Sequence, residues 1–309
     1  MNDHFWPAPA KLNLMLHITG RRADGYHELQ TVFQFIDFCD ELKFEVRADD
    51  CIIRHCDDFN VPENEDIIIR AAQVLRERFP RNNAQKQAVT KKSVDNQVTE
   101  DFGVDIYLKK KIPMGAGLGG GSSDAATTLV ALNKLWGMQF SIEELSEIGL
   151  SLGADVPVFV HGFAAFAEGV GEKLSPISLI ESWYLVLIPP VNVSTKEIFS
   201  NRELTRDCSA IKLCDLSRRE WRNVCTPVVI KNYPEVSQAI DVISNYSKAC
   251  MSGTGASVFA VFETKAKADE ILQQIRKDST VGSWNCFVVR GLNQSPLHQY
   301  LDSLSVTDR

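Results

Sequence analysis

Between residues 113 and 124 the chain reads Pro113-Met114-Gly115-Ala116-Gly117-Leu118-Gly119-Gly120-Gly121-Ser122-Ser123-Asp124, with five glycines in seven positions. Glycine reaches backbone angles closed to other residues, so this run can turn successive N–H groups toward one anion. A helical apolar spacing, Ala126, Leu129, Val130 and Leu132, follows at once. The run is therefore expected to open into a helix capped by Ser122 or Ser123. Loop N–H groups and the helix dipole together make a phosphate cradle, and the two serine hydroxyls offer contacts to phosphate or to Mg²⁺. The alternative is a turn needed only for tight packing; this density of glycine ahead of a helix favours the cradle.

Two competing readings fail on context. Gly115-x-Gly117-x-x-Gly120 matches a dinucleotide fingerprint, but that fold needs a strand after the first helix. Here the capping box Ser141-Ile142-Glu143-Glu144 opens a second helix, carrying Leu145, Ile148 and Leu152 and stopping at Gly153. A Walker A loop ends in Gly-Lys-Ser/Thr, and this run has no lysine.

The rest of the chain supplies an α+β frame. Residues 10–18 alternate, which places Ala10, Leu12, Leu14, Leu16 and Ile18 on one face of a half-buried strand and Lys11, Asn13, Met15 and His17 on the other. A turn at 20–25 leads through Tyr26 and His27 into a second strand over 32–38, suggesting a mainly antiparallel sheet. The spacing Ile68, Ala71, Ala72, Leu75, Phe79 predicts a helix ending at Pro80. The polar stretch 81–102 is expected to be a mobile surface excursion. Val104, Ile106 and Leu108 share a strand face. Beyond about residue 175, strands are expected at 184–188, 258–262 and 286–289 and helices at 236–243 and 266–276, with a second glycine turn at Ser252-Gly253-Thr254-Gly255-Ala256.

A length of 309 residues suits two domains, placed at 1–170 and 171–309. The net charge of −7 opposes a broad nucleic-acid footprint. No apolar stretch approaches a membrane span of about 20 residues, and no signal peptide is legible, so a soluble cytoplasmic protein is expected. The eight cysteines lack C-x-x-C spacing and read as reduced and structural. The histidines are scattered, so no protein metal site is expected.

If nucleotide phosphates occupy the glycine run, phosphoryl transfer needs a proton acceptor for the incoming hydroxyl and positive charge beside the migrating group. Asp155, just after the second helix, and Lys11 suit these roles, although an aspartate there also serves as a cap and a strand lysine is often merely exposed. Tyr26 and His27 suit a nucleobase or, equally, a buried structural pair.

Together these motifs resemble the GHMP superfamily of galactokinase, homoserine kinase, mevalonate kinase and phosphomevalonate kinase. Pro9-Ala10-Lys11-Leu12-Asn13-Leu14, Arg22-Ala23-Asp24-Gly25-Tyr26-His27, Leu152-Gly153-Ala154-Asp155-Val156-Pro157-Val158-Phe159 and Ser295-Pro296-Leu297-His298 carry the resemblance across nearly the whole chain. They look most like the branch whose acceptor is a cytidine diphosphate-linked methylerythritol of the non-mevalonate isoprenoid pathway. The resemblance implies a two-domain fold, ribosomal-protein-like then ferredoxin-like, and transfer of the ATP γ-phosphate to the acceptor's 2-hydroxyl with Mg²⁺ on the phosphates. It implies Asp155 as catalytic base, Lys11 as its charged partner and residues 113–123 as the ATP-phosphate site. It further implies Asn13 positioning the acceptor, Tyr26 and Phe199 sandwiching the cytosine, His27 reading its edge and Thr195 in the same substrate segment. A monomer or weak homodimer acting on small molecules is expected. Where the family pattern has Asn-Leu, among its adenosine contacts, this chain has Asp66-Ile67, leaving those contacts open.

Two alternatives differ in their marks. A kinase for homoserine or a mevalonate-type alcohol gives no reason for aromatic residues arranged around a base. A non-catalytic binding module on the same scaffold gives no reason for Lys11 together with Asp155, and fold alone does not choose.

Overall fold

The computed structural model describes residues 5–55, 61–78, 102–218 and 222–307. Of the polar stretch 81–102 only Phe102 lies among them, and Pro80 lies outside.

Strand β1 (Trp6–Arg21) pairs antiparallel with β2 (His27–Val46) along most of its length. Contrary to the alternation, β1 is buried on both sides: Leu12 and Met15 are fully enclosed, and so nearly are Lys11, Asn13 and His17. A bulge between Asn13 and Met15 corrects the phase. One extra residue flips all that follows, so Met15 joins Leu12 in the central core while Leu16 comes round to the side of Lys11 and Asn13.

Strand β3 (Ile52–His55) leads to helix α1 (Ile67–Arg78), which buries Ile68, Ala71, Ala72 and Leu75 as its spacing predicts. Strand β4 (Val104–Lys109) buries Val104, Ile106 and Leu108. Helices α2 (Gly120–Leu135), α3 (Ile142–Leu152) and α4 (Val156–His161) share the first core with α1, β2 and β4. The capping box of α3 forms in full, Glu144 N donating to Ser141 Oγ at 3.2 Å and Ser141 N to Glu144 Oε2 at 2.8 Å. The start of α2 differs from expectation. Its cap is Gly119, at φ 76°, and neither serine caps it. The left-handed glycine lets the chain enter the helix early, so Ser122 and Ser123 sit in the first turn and no side chain covers the leading N–H groups.

Strands β5 (Ala165–Glu168) and β6 (Lys173–Pro176) form a hairpin laid on β2 through β5. Next come β7 (Trp183–Ile188), α5 (Thr195–Ser200), α6 (Thr226–Asn232), α7 (Pro234–Ser244), β8 (Cys250–Met251), β9 (Val258–Phe262), α8 (Lys265–Ile275) and β10 (Asn285–Leu292), covering every strand and helix expected beyond residue 175. The final helix, α9 (Pro296–Thr307), returns to the first half, where Leu297 is buried in the same core as α2.

The strand order is β3-β4-β2-β10-β7-β9-β8, with β1 and β5 also on β2. The pairings between named strands are antiparallel apart from β3 on β4. Only Gly291 and Leu292 of β10 meet β2, and this short seam joins the two halves. Residue 170 falls in the turn between β5 and β6. Burial pushes the thiols of Cys39, Cys225 and Cys286 up to about 12, which suits packing residues and not nucleophiles. Among the described residues no helix is long and apolar enough to cross a membrane.

Candidate active site

A cleft of about 570 Å³ opens where the glycine run, β1 and the second half meet, a volume suited to small molecules. Every residue from Pro113 to Ser122 lines it, with Lys11, Asn13, Asp155, Thr195 and Phe199. Ser123 does not: it is fully buried, and among the described residues its hydroxyl has no hydrogen-bond partner. Tyr26 and His27 also lie outside the lining.

The two glycine motifs hold each other. Ser252 Oγ donates to Gly117 O at 2.8 Å and accepts from Asn13 N at 3.0 Å, while Ser257 N donates to Ala116 O at 3.0 Å. Gly117, at φ +74°, lies so close that a Cβ would stand 2.3 Å from Ser252 O and 2.8 Å from Gly255 O. The second turn is thus a brace for the first, and Gly253 and Thr254 join the lining.

Lys11 sits beneath the loop, 2% exposed. A buried ammonium has three protons to place. Its Nζ donates to Asn13 Oδ1 at 2.5 Å and to Gly117 O at 3.2 Å, and lies 3.3 Å from Asp155 Oδ2. Asn13 is fixed in turn, its Nδ2 donating to Thr31 Oγ1 at 2.8 Å. Asp155 occupies the cap position of α4, but its side chain caps nothing. Instead the carboxylate, 38% exposed, faces Lys11 and the cleft. The structure thereby brings Lys11, Asn13, Asp155 and the glycine run to one place.

Beside the run lies a second charged group, centred on Lys110 of the basic run Lys109-Lys110-Lys111. Lys110 Nζ meets Asp40 Oδ2 at 2.5 Å and Asp124 Oδ2 at 2.7 Å, and Asp40 Oδ1 also accepts from Ile112 N at 2.8 Å. Asp124 is 2% exposed, and its Oδ1 has no partner among the described residues. Burial pushes its carboxyl well above the usual range, with Lys110 opposing and the Asp40 charge reinforcing. A single ammonium thus lies between two enclosed carboxyls, of which Asp40 also accepts from the backbone N–H groups of Lys111 and Ile112. The cluster ties β2 and the end of β4 to the N-terminal half of α2.

Asp66 also lines the cleft, at the start of α1. Its Oδ1 accepts from Ile68 N at 2.9 Å and its Oδ2 pairs with Arg54. Both oxygens are engaged within the protein, as a cap and an ion pair.

At the other end of the cleft, Thr195 and Phe199 stand one turn apart on α5, Thr195 Oγ1 lying 2.9 Å from Thr254 Oγ1. His27 stacks on Phe199, ring centroids 5.2 Å apart. Tyr26 is 64% exposed in the β1–β2 turn, whereas Phe199 lines the cleft.

Comparison with known proteins matches residues 66–163 to the GHMP kinases N terminal domain and residues 208–279 to the GHMP kinases C terminal family. A Pseudomonas putida protein named 4-diphosphocytidyl-2-C-methyl-D-erythritol kinase is 49% identical over 298 residues, 96% of either chain. One of the same name from Shewanella loihica is 48% identical over 293 residues, 94% of this chain and 95% of its own. A crystal structure of 4-(cytidine 5'-diphospho)-2C-methyl-D-erythritol kinase superposes with a TM-score of 0.73 at 29% identity, covering 93% of this chain and 99% of that one. The chain belongs to the GHMP kinases, among the 4-diphosphocytidyl-2-C-methyl-D-erythritol kinases. A mevalonate kinase, TM-score 0.62 at 16% identity, shares the fold.

For a GHMP kinase the glycine run and Lys11 were legible as motifs. Thr31 and Phe33 were not, although both line the cleft and Phe33 lies under the Lys11 ammonium at 5.4 Å. They sit in β2, outside every motif that the sequence marks. The binding-module alternative falls with the family membership.

Proposed function

We propose that this chain transfers the γ-phosphate of ATP to the 2-hydroxyl of 4-diphosphocytidyl-2-C-methyl-D-erythritol. The observation that carries the reading is the Lys11 ammonium, held at once by the glycine run at Gly117 O and by Asp155 at 3.3 Å. A proton acceptor and a positive charge thus meet at the edge of an anion cradle, which is what phosphoryl transfer to an alcohol needs.

The loop fits a polyphosphate. The uncovered N–H groups at the start of α2 face the cleft, and a Cβ at Gly121 would meet nothing nearer than Ile67 at 3.9 Å, so backbone and ligand can approach closely. Ser122 adds a hydroxyl to that wall. Magnesium ions keep much of their own water and take phosphate oxygens, so Mg²⁺ carried by ATP asks little of the protein. Asp155 accepts the acceptor's hydroxyl proton as the new P–O bond forms. Lys11 supplies charge beside the developing alkoxide, and Asn13, fixed by Thr31, helps place the hydroxyl.

The cytosine belongs at the Phe199 end, with His27 reading its edge and Thr195 nearby. For Tyr26 to complete a sandwich, its turn has to bring the ring in from solvent. Residues 1–170 would supply phosphate binding and catalysis and residues 171–309 most of the acceptor site, in a cytoplasmic monomer or weak homodimer.

The test is ADP release with ATP, Mg²⁺ and the cytidylylated alcohol, against homoserine and mevalonate. Turnover confined to the cytidylylated alcohol is expected. Turnover confined to another alcohol discards the base site, and no turnover with any discards the kinase assignment of these residues.

A further inference from the structure

Arg206, in the segment after α5, commits all three guanidinium nitrogens to the Phe199 end of the cleft. Nε donates to His27 Nε2 at 3.0 Å, Nη1 to Leu204 O at 3.0 Å, and Nη2 to Phe199 O at 3.0 Å and Asn201 O at 2.6 Å. A guanidinium has only donors and does not lose its proton in a protein. His27 Nε2 must therefore accept, and the one proton of a neutral imidazole then sits on Nδ1. A protonated ring would set Nε2–H against Nε–H. Burial first, then the charges of Arg206 and Arg21, hold His27 below its ordinary value and keep the ring neutral. The same guanidinium grips the carbonyl of Phe199, the residue on which His27 stacks. One side chain thus fixes both the ring pair and its proton.

We propose that Arg206 is a positioning residue for nucleobase choice, which holds His27 as the Nδ1–H tautomer so that the imidazole offers a donor to the base. A donor there pairs with a ring nitrogen that accepts, as N3 of cytosine does, and opposes the N3–H of uracil. Rejection comes from two hydrogens facing each other, the kind of mismatch that discriminates more strongly than a lost apolar contact. The inference deepens the reading of His27 as a cytosine contact and rests on it.

The tautomer is tested without any substrate. Long-range ¹H–¹⁵N correlation on the histidine-labelled full chain, above the ordinary histidine pKa, is expected to show His27 as Nδ1–H, its signals assigned by their loss in His27→Gln. An Nε2–H pattern overturns the proposal. In Arg206→Met the ring is expected to shift toward Nε2–H. The KM for the cytidylylated acceptor should rise about tenfold, with kcat and the KM for ATP within about twofold, and the preference for cytidine over the uridine analogue should fall about tenfold. Arg206→Lys, which keeps an N–H donor, should recover part of that loss and carries the kinetic test should the methionine variant not fold. An unmoved tautomer in Arg206→Met, or a base preference that survives a moved tautomer, overturns it. Failure to turn over any cytidylylated alcohol counts against the functional reading instead, because the spectrum reports on Arg206 and His27 alone.

Discussion

At the scale of single residues, the site is defined by what its buried polar atoms are attached to. Lys11 and Asn13 belong to a strand whose alternation predicts a polar, solvent-facing side, and that side is enclosed by the glycine run and Asp155. The sequence motif made Asp155 a candidate; its freedom from capping makes it available to a substrate hydroxyl. Asp155→Asn keeps the shape and removes the basic oxygen. It is expected to lower kcat about 10²-fold or more while leaving ATP affinity and the unfolding midpoint nearly unchanged. Rapid-quench turnover, read beside nucleotide binding, checks this; near wild-type turnover would take Asp155 out of the chemistry.

At the scale of elements, the phosphate loop is held from two sides, and each support can be tested alone. Gly117 needs both its left-handed φ and the absent Cβ, because Ser252 O and Gly255 O close over it. Gly117→Ala is expected to cost about 1–3 kcal/mol from backbone strain, with steric overlap adding more. Gly121→Ala, in the open first turn of α2, should cost little in a urea titration or even stabilise the helix. Equal losses would mean that the brace from the second glycine turn contributes nothing. The other support is the Lys110 cluster. Asp124, pushed up by burial, holds its proton longer in the folded state than in the unfolded chain. Folding stability linked to it is full below the ordinary aspartate value and is lost as pH rises toward the raised folded value. Asp124→Asn should flatten that slope and change stability at neutral pH by less than about 1 kcal/mol. Asp40→Ala, which removes the carboxyl that Lys110 and the amides of Lys111 and Ile112 share, should cost about 3–5 kcal/mol. Denaturant midpoints from pH 4 to 8 separate the two.

Periodicity identified these elements well, and it failed where a backbone irregularity intervened. The bulge between Asn13 and Met15 reverses which leucines share a side with Lys11, and nothing in the alternation Leu12, Leu14, Leu16, Ile18 marks it. The start of α2 was missed for a related reason: Ser122 and Ser123 are good caps in isolation, but the preceding glycines let the helix begin before them. Charges are set by neighbours that the sequence does not show. Within the run Lys109-Lys110-Lys111, only contacts with Asp40 and Asp124 from other elements reveal that Lys110 is an interior ion. Tyr26 and His27 are adjacent in sequence, yet one is exposed and the other stacked on Phe199.

At the scale of the molecule, the cleft depends on the chain closing on itself twice. The second half returns Ser252 to Gly117, and α9 then crosses back so that Leu297 is buried among α2 and its neighbours, while Tyr300 packs edge-on against Trp6 at 5.1 Å. The seam between β10 and β2 is short, two residue pairs, so side-chain packing of α9 adds a tie the sheet alone does not give. If α9 is part of the first core and not an appendage, Leu297→Ala should behave as a core truncation, costing about 2–5 kcal/mol. The loss should also be read far from the substitution in sequence. Native-state hydrogen exchange is expected to show faster opening of α2 amides, because that helix shares the core with Leu297. Exchange accelerated only within α9, with the denaturation midpoint unmoved, would make the helix a peripheral unit and leave the phosphate loop to the second glycine turn and the Lys110 cluster.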